Sequence, residues 1–133
     1  TGQSKELEAE MIKFTIIGEL PDLNTYINEC RRNKYGANKM KHDAQDTVLW
    51  AIRTQIKQGA KITQPVQIRF LWACRDKRKD IDNVAFAKKF ILDAMVSSKI
   101  LPNDSREWVK GFTDEFIIDR KNPRTEIEII EIN

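Results

Sequence analysis

Histidine and cysteine are scarce in this chain of 133 residues, and their scarcity excludes several kinds of site. His42 is the only histidine, and the two cysteines, Cys30 and Cys74, do not form a Cys-x-x-Cys pair. These side chains are too few and too scattered to bind zinc. Two isolated thiols are typical of a reducing compartment, although the sequence alone leaves a single bridge between them open.

Long apolar runs are also missing. No stretch approaches the roughly 20 apolar residues that a membrane-spanning helix needs. Residues 1–10 are polar and acidic, do not resemble a signal peptide, and are interpreted as an N-terminal extension. We therefore expect a soluble, cytoplasmic protein with no membrane partner and a single domain over residues 11–133, an ordinary length for one domain.

The positive charge of the chain is small in total but unevenly distributed. The formal net charge is +3, which is too little to identify a nucleic-acid partner by itself. Residues 31–41 include five cations and no acidic residue, and residues 75–79 include four cations beside Asp76. These side chains either form a DNA-binding face or are two solvated loops. They are Arg31, Arg32, Lys34, Lys39, Lys41, Arg75, Lys77, Arg78 and Lys79.

Alternation of apolar and polar residues predicts four strands. The pattern extends over residues 12–16, 66–72, 108–118 and 126–130 and is the period of a strand with one buried face. The doublet Ile129-Ile130 interrupts the last alternation and is interpreted as a bulge.

Apolar residues three and four positions apart predict two helices, over residues 39–57 and from Asn83 to about Ser98. The polar, basic residues 22–38 are interpreted as a long loop. The element order β-α-β-α-β-β then indicates an α+β fold, in which two helices pack on one small mixed sheet of about four strands.

The tetrapeptide Asp80-Ile81-Asp82-Asn83 is the segment most indicative of chemistry. In an extended backbone both carboxylates point to the same side, and neighbouring carboxylates are stabilised by a shared cation. Mg²⁺ is the natural candidate, because it takes oxygen ligands and uses only one or two carboxylates. A calcium EF-hand is excluded, since Ala85 and Ile91 occupy positions that require Gly and Glu. A helix cap beside a solvated aspartate is the alternative reading.

Asp104 and Lys89 are further candidates for the same site. A straight helix of about 16 residues is roughly 24 Å long and would separate Asp104 from Asp82. The two would meet only if the chain folds back after Ser98 or if the site lies between subunits. At about 100° per residue, Lys89 returns to the side of Asp82 and Lys88 does not. Lys89 is therefore favoured to stabilise charge on a phosphate, the alternative being that both lysines are ordinary surface residues.

In their order and spacing, these segments resemble the RusA family of Holliday junction resolvases of bacteria and their phages. The resemblance begins with the basic run that leads into Asp-x-Asp-Asn over residues 75–83. It continues through residues 89–95 and ends at Leu101-Pro102-Asn103-Asp104. Pro21 and Asn24 match an early Pro and Asn of the family. The sequence departs from the family pattern in two places. The segment between Asn83 and Lys89 is longer by about one helical turn than in the family's best-known bacterial member. Asn103 stands where the family commonly has a second aspartate.

The resemblance implies a homodimer that makes paired cuts at a four-way DNA junction, with Mg²⁺ or Mn²⁺ as its cofactor. It implies that Asp80, Asp82 and Asp104 bind the metal, that Lys89 assists, and that Asn24 belongs to the DNA-binding surface. The activity would serve DNA recombination and repair in a host or a prophage. Two alternatives are a non-catalytic nucleic-acid-binding phage protein and a structural interaction module.

Aromatic residues are the last group with an expected role. Tyr26 or Trp108 could stack on an unpaired base at a junction, a contact worth about 1–3 kcal/mol. Trp50 and Trp72 are predicted to lie in the core.

Overall fold

The structure, a computed structural model, describes residues 11–132. The predicted α+β class with one four-stranded mixed sheet is confirmed. Within this range no helix is long and apolar enough to cross a membrane, and Cys30 and Cys74 are both free thiols. In chain order the elements are β1 (Met11–Ile17), α1 (Leu23–Arg32), α2 (Lys34–Gln55), β2 (Val66–Cys74), α3 (Ile81–Ala85), α4 (Lys88–Ser97), β3 (Val109–Ile118) and β4 (Arg124–Glu131).

The sheet has the strand order β1-β4-β2-β3, so β1 and β3 are its edges. β4 is antiparallel to both neighbours, whereas β2 and β3 are parallel and are joined by a crossover that contains α3 and α4. α2 contacts both β1 and α4. One sheet face is buried against the helices through alternate residues of three strands, namely Phe14, Ile16, Ile68, Phe70, Trp72, Ile127 and Ile129.

The bulge predicted at Ile129-Ile130 is wrong. β4 keeps an unbroken register with both β1 and β2 through these two residues, and Ile130 simply faces away from the helices. The irregularity of the sheet lies between Val66 and Gln67, opposite β3. Adjacent apolar residues in a strand thus reflect partial burial of the second face here, and they do not mark an extra residue.

The predicted loop over residues 22–38 is also wrong, because this segment forms α1 and the first turn of α2. Asp22 caps α1 by accepting a hydrogen bond from the Thr25 N–H (2.7 Å). Asn33 caps α2 by accepting one from the Gly36 N–H (2.8 Å). Each cap is worth about 1 kcal/mol. The two capping residues were the signal for helices that the polar composition concealed.

The single helix predicted from Asn83 to Ser98 is divided in two. At the division, the N–H groups of Ala87, Lys89 and Phe90 donate to carbonyls three residues earlier, as in a tighter 3₁₀ turn. Buried apolar residues continue on both sides of the division, so their spacing did not reveal it. The side chains of α4 therefore do not point in the directions that one continuous helix starting near Asp82 would give them.

The prediction that Trp50 lies in the core is wrong, and Tyr26, predicted to stack on a base, is half-buried. Trp50 is 69% exposed, because it lies about 200° around α2 from the fully buried Val48. Trp72 is buried, as predicted. Tyr26 packs against Phe86 and Phe90, with ring centroids 5.6 and 6.0 Å apart, so its ring is used in the fold.

Asp114 connects β3 to the buried face of the sheet. Its carboxylate accepts hydrogen bonds from the Trp72 indole N–H and from the Lys88 ammonium, both at 2.8 Å. The Lys88 Nζ also lies 4.4 Å from the ring centroid of Phe112 and 5.1 Å from that of Phe70. The Lys88 side chain is only 17% exposed. Lys88 therefore attaches the start of α4 to the sheet.

Replacing Asp114 by alanine is expected to lower the free energy of unfolding by about 1–3 kcal/mol, because the buried Trp72 indole N–H and the largely covered Lys88 ammonium lose their acceptor. Urea unfolding followed by tryptophan fluorescence measures the loss. Glu115→Ala, at an exposed neighbouring position, is the matched control and should stay within about 0.5 kcal/mol of wild type. Equal losses in the two variants would contradict a specific role for Asp114.

The two sheet edges differ in how they are covered. At β1, the Gln55 side chain accepts a hydrogen bond from the Thr15 N–H and donates one to the Thr15 carbonyl, both at 2.7 Å. This amide imitates a neighbouring strand at a position that an edge strand leaves unpaired. Over the part of the chain that the structure describes, no side chain bonds to the outer edge of β3 in this way. There Phe112 and Ile118 are 42% and 53% exposed.

Candidate active site

Asp80 and Asp82 lie at the start of α3, where the loop that follows β2 ends. Asp80 is the N-cap residue, but its side chain makes no capping hydrogen bond. Asp82 accepts one hydrogen bond, from the Asn83 N–H (2.9 Å). Both residues are exposed, and neither takes part in an ion pair among residues 11–132. Two exposed carboxylates without a protein cation fit the ligand preference of a hydrated divalent ion.

The loop that precedes Asp80 is fastened to the segment between β1 and α1. Glu19 accepts a hydrogen bond from the Arg75 N–H (2.8 Å) at the start of this loop. At its end, the Lys79 ammonium lies 3.2 Å from a carboxylate oxygen of Asp22 and 3.8 Å from one of Glu19. These contacts fix both ends of the basic loop, so the backbone that carries Asp80 has a defined position.

Asp22 is the buried carboxylate of this arrangement, with only 5% of its surface exposed. Burial raises the pKa of Asp22, but hydrogen bonds from Thr25 and the charge of Lys79 outweigh it, so the pKa lies below its ordinary value. Asp22 therefore stays ionised at neutral pH and holds Lys79 in place. Lys79, which the sequence grouped with the DNA-binding cations, has this structural contact in addition.

Asn83 fixes the chain directly after the two aspartates. Its side-chain oxygen accepts a hydrogen bond from the Asn24 N–H in the first turn of α1 (2.8 Å). Asn24, which the resemblance assigns to the DNA-binding surface, is thus adjacent to Asn83 through its backbone, and it is exposed. α1 and α3 are joined at the point where Asp82 lies.

Asp104 lies at the opposite end of the sheet. It belongs to the connection between α4 and β3, and that connection is bonded to the start of β2 through the Val66 N–H and the Trp108 carbonyl (2.7 Å). Asp80 follows the end of β2, a strand of nine residues whose length is roughly 26 Å. One chain therefore does not bring Asp104 to Asp80 and Asp82. Among residues 11–132 no group of three His, Cys, Asp or Glu side chains is placed to hold a metal ion.

Lys89 is exposed, and its ammonium pairs with Asp93 one turn further along α4 (3.4 Å). The division between α3 and α4 removes the continuous helical phase that favoured its placement beside Asp82. No hydrogen bond or ion pair joins Lys89 to Asp80 or Asp82 in the described range. Lys88, the alternative, is held by Asp114.

The candidate DNA-binding cations lie on two exposed surfaces. Arg75, Lys77 and Arg78 belong to the loop that ends at Asp80. The second surface begins in the last turn of α1. The helix α1 is about 15 Å long and starts beside Asn83. Exposed ion pairs with Glu29 (3.4 Å) and Asp43 (2.9 Å) neutralise two of them only weakly. This second surface contains Arg31, Arg32, Lys34, Lys39 and Lys41.

Tyr35 was missed in the sequence reasoning and lies within this second surface. Its side chain is 76% exposed at the start of α2, between Lys34 and Lys39 in the chain. An exposed aromatic ring among cations is the combination that binds unpaired bases. Its place inside the basic run was visible in the sequence. Trp108, one of the two aromatic residues predicted to stack on a base, is half-buried against the core.

A comparison with models of known protein families gives a match over most of the chain. The family model described as Endodeoxyribonuclease RusA matches residues 20–130, which includes every element from α1 to β3 and most of β4. No curated protein matches the chain. The match covers most of the sequence and contains Asp80, Asp82 and Asp104. The chain therefore belongs to the RusA family of endodeoxyribonucleases.

Proposed function

We propose that this endodeoxyribonuclease resolves four-way DNA junctions in recombination and repair, and that it requires Mg²⁺, with Mn²⁺ as a substitute. The observation that carries the proposal is the pair Asp80 and Asp82, two exposed carboxylates at the end of a basic loop that form no ion pair with the described residues 11–132. Carboxylate oxygens are the ligands that these hard ions prefer.

Asp80 and Asp82 would hold the ion, with Asp104 as a third ligand. When bound, such an ion supplies an activated water molecule and offsets negative charge on the scissile phosphate. The Glu19, Asp22 and Asn83 contacts keep the two ligands in position before DNA arrives, which lowers the entropic cost of binding.

The cations have two tasks in this proposal. Lys89 has a long side chain at the start of α4 and would neutralise charge that develops on the phosphate. The exposed residues of the two cationic surfaces would bind neighbouring phosphates, which positions the DNA without reading its sequence. Recognition of that kind suits an enzyme whose substrate is defined by its branched shape.

A homodimer formed through the open edge of β3 would bring Asp104 close to Asp80 and Asp82. If two β3 strands pair antiparallel about a twofold axis, the start of one strand lies beside the end of the other. Asp104 precedes the start of β3, whereas the loop to Asp80 and Asp82 follows the end of the adjacent, parallel β2. Pairing therefore moves Asp104 to the sheet end that carries the other subunit's Asp80 and Asp82. It also buries the exposed Phe112 and Ile118.

Incubation with a synthetic four-way junction tests the proposed activity. With Mg²⁺ we expect symmetric paired nicks, and with EDTA we expect binding without cutting. A linear duplex of the same sequence is the control and should not be cut. Binding to the junction with no cutting in either Mg²⁺ or Mn²⁺ would refute the nuclease proposal in favour of a non-catalytic nucleic-acid-binding protein.

A further inference from the structure

A groove of about 560 Å³ lies at the end of the fold opposite Asp80 and Asp82. One wall is the last turn of α2 with the loop that follows it, and the other wall is the end of α4. The Ile62 N–H donates to the Ile100 carbonyl (2.8 Å) and joins the two walls. Ile52 and Ile100 are buried beneath it. The groove is therefore a fixed feature of the fold.

The charged side chains that line this groove are all positive. They are Arg53, Lys57, Lys61 and Lys99, and no Asp or Glu among residues 11–132 lines it. All four are exposed, and none forms an ion pair within the described part of the chain. Uncompensated cations around one concave surface create a strong local positive potential.

Helix ends account for part of this charge but not for all of it. α2 ends at Gln55 and α4 ends at Ser97, and each helix C-terminus carries the equivalent of about −0.5 charge. The two ends together offset roughly one of the four positive charges. The groove therefore keeps a large positive excess that the fold itself does not neutralise, and an anionic ligand would do so.

Lys99 gives an independent indication that the charge is useful. Its φ of 69° lies in the left-handed region directly after the end of α4, where glycine is the usual residue. A residue with a side chain has a steric cost in that conformation. The chain accepts this cost and places an exposed ammonium group at the groove.

We propose that this groove binds backbone phosphates of a DNA arm beyond the cleavage site, an inference that rests on the proposed function. The groove lies at the same end of the sheet as Asp104. In the proposed dimer it therefore lies at the same end of the extended sheet as the other subunit's basic loop of residues 75–79. Exposed Lys and Arg side chains suit phosphate contacts that are indifferent to sequence.

The test is the salt dependence of junction binding in EDTA, measured by fluorescence anisotropy for the full chain. Lys57→Gln/Lys61→Gln removes two of the four charges. If both contact phosphates, the slope of log K against log salt concentration should decrease in magnitude by about two, and the Kd at low salt should rise about tenfold. The control is Lys13→Gln/Arg69→Gln, which removes the same charge from the sheet face away from the helices, where both residues pair with Glu128. It should leave the slope unchanged.

An unchanged slope in the groove variant, or an equal decrease in the control, would overturn the assignment. Inorganic phosphate is the second probe, and its binding is followed by NMR through the backbone amide signals of residues 97–100. Saturable submillimolar binding of phosphate that DNA does not displace would assign the groove to a free phosphate and would also overturn it. Because the binding experiment contains no metal, it is independent of cleavage. If the wild type cuts junctions and the groove variant binds them with the wild-type Kd and salt slope, the groove assignment is refuted and the proposed nuclease activity stands.

Discussion

Asp82→Asn is expected to bind a four-way junction almost as tightly as wild type and to cut it about a hundredfold to a thousandfold more slowly. The amide keeps the volume of the carboxylate and can still accept the Asn83 N–H hydrogen bond. It loses the negative charge that attracts a divalent ion. Single-turnover cleavage in Mg²⁺ measures the rate, and anisotropy in EDTA measures the affinity.

Asp46→Asn is the matched control for this substitution. Asp46 is also an exposed aspartate, lies on α2, and forms no ion pair among residues 11–132. The same loss of one charge there should leave both cutting and binding near wild type. Equal cutting by Asp82→Asn and wild type would remove Asp82 from the mechanism.

Mixing Asp82→Asn with Asp104→Asn is expected to restore cutting, although each variant alone cuts very slowly. If Asp104 completes the site of the other subunit, a mixed dimer has one site with both substitutions and one intact site. In an equal mixture with random exchange, about a quarter of the sites should therefore be intact. A mixed dimer should nick only one strand of each junction, because its second site is inactive.

Mixed dimers purified with two affinity tags make this experiment decisive. The matched control combines Asp80→Asn with Asp82→Asn, which both lie on the same side of the proposed shared site. That combination damages each of the two sites and should remain inactive. If the mixed dimer of Asp82→Asn and Asp104→Asn is also inactive, Asp104 does not act across the subunit interface.

The strands could be predicted from the sequence because their signal is local. Phe14 and Ile16, or Ile127 and Ile129, alternate with polar residues wherever one face is buried. The helices were less predictable. α1 is rich in polar residues, which concealed two helix signals: its capping residue Asp22, and the helical spacing of Leu23, Tyr26, Ile27 and Cys30.

The candidate site was predictable in part for a similar reason. Asp80 and Asp82 are neighbours in the sequence, so their proximity needs no tertiary information. The place of Asp104 depends on the crossover between β2 and β3, and its proposed approach to Asp80 and Asp82 depends on a second subunit; neither is encoded in a short pattern. The groove cations Arg53 and Lys99 are far apart in the chain and come together only when α2 and α4 end at the same side of the fold.

The Gln55 side chain has a consequence for how far the protein can assemble. A sheet with two accessible edges can add chains at both and grow into a filament, which is the hazard of every uncovered strand. Here the side-chain amide of Gln55 forms hydrogen bonds with both the N–H and the carbonyl of Thr15 at the β1 edge. If chains pair through β3 as proposed, that pairing uses the accessible edge of each chain, and growth stops after one step. A single glutamine would then let a DNA-cutting enzyme keep an uncovered strand without polymerising.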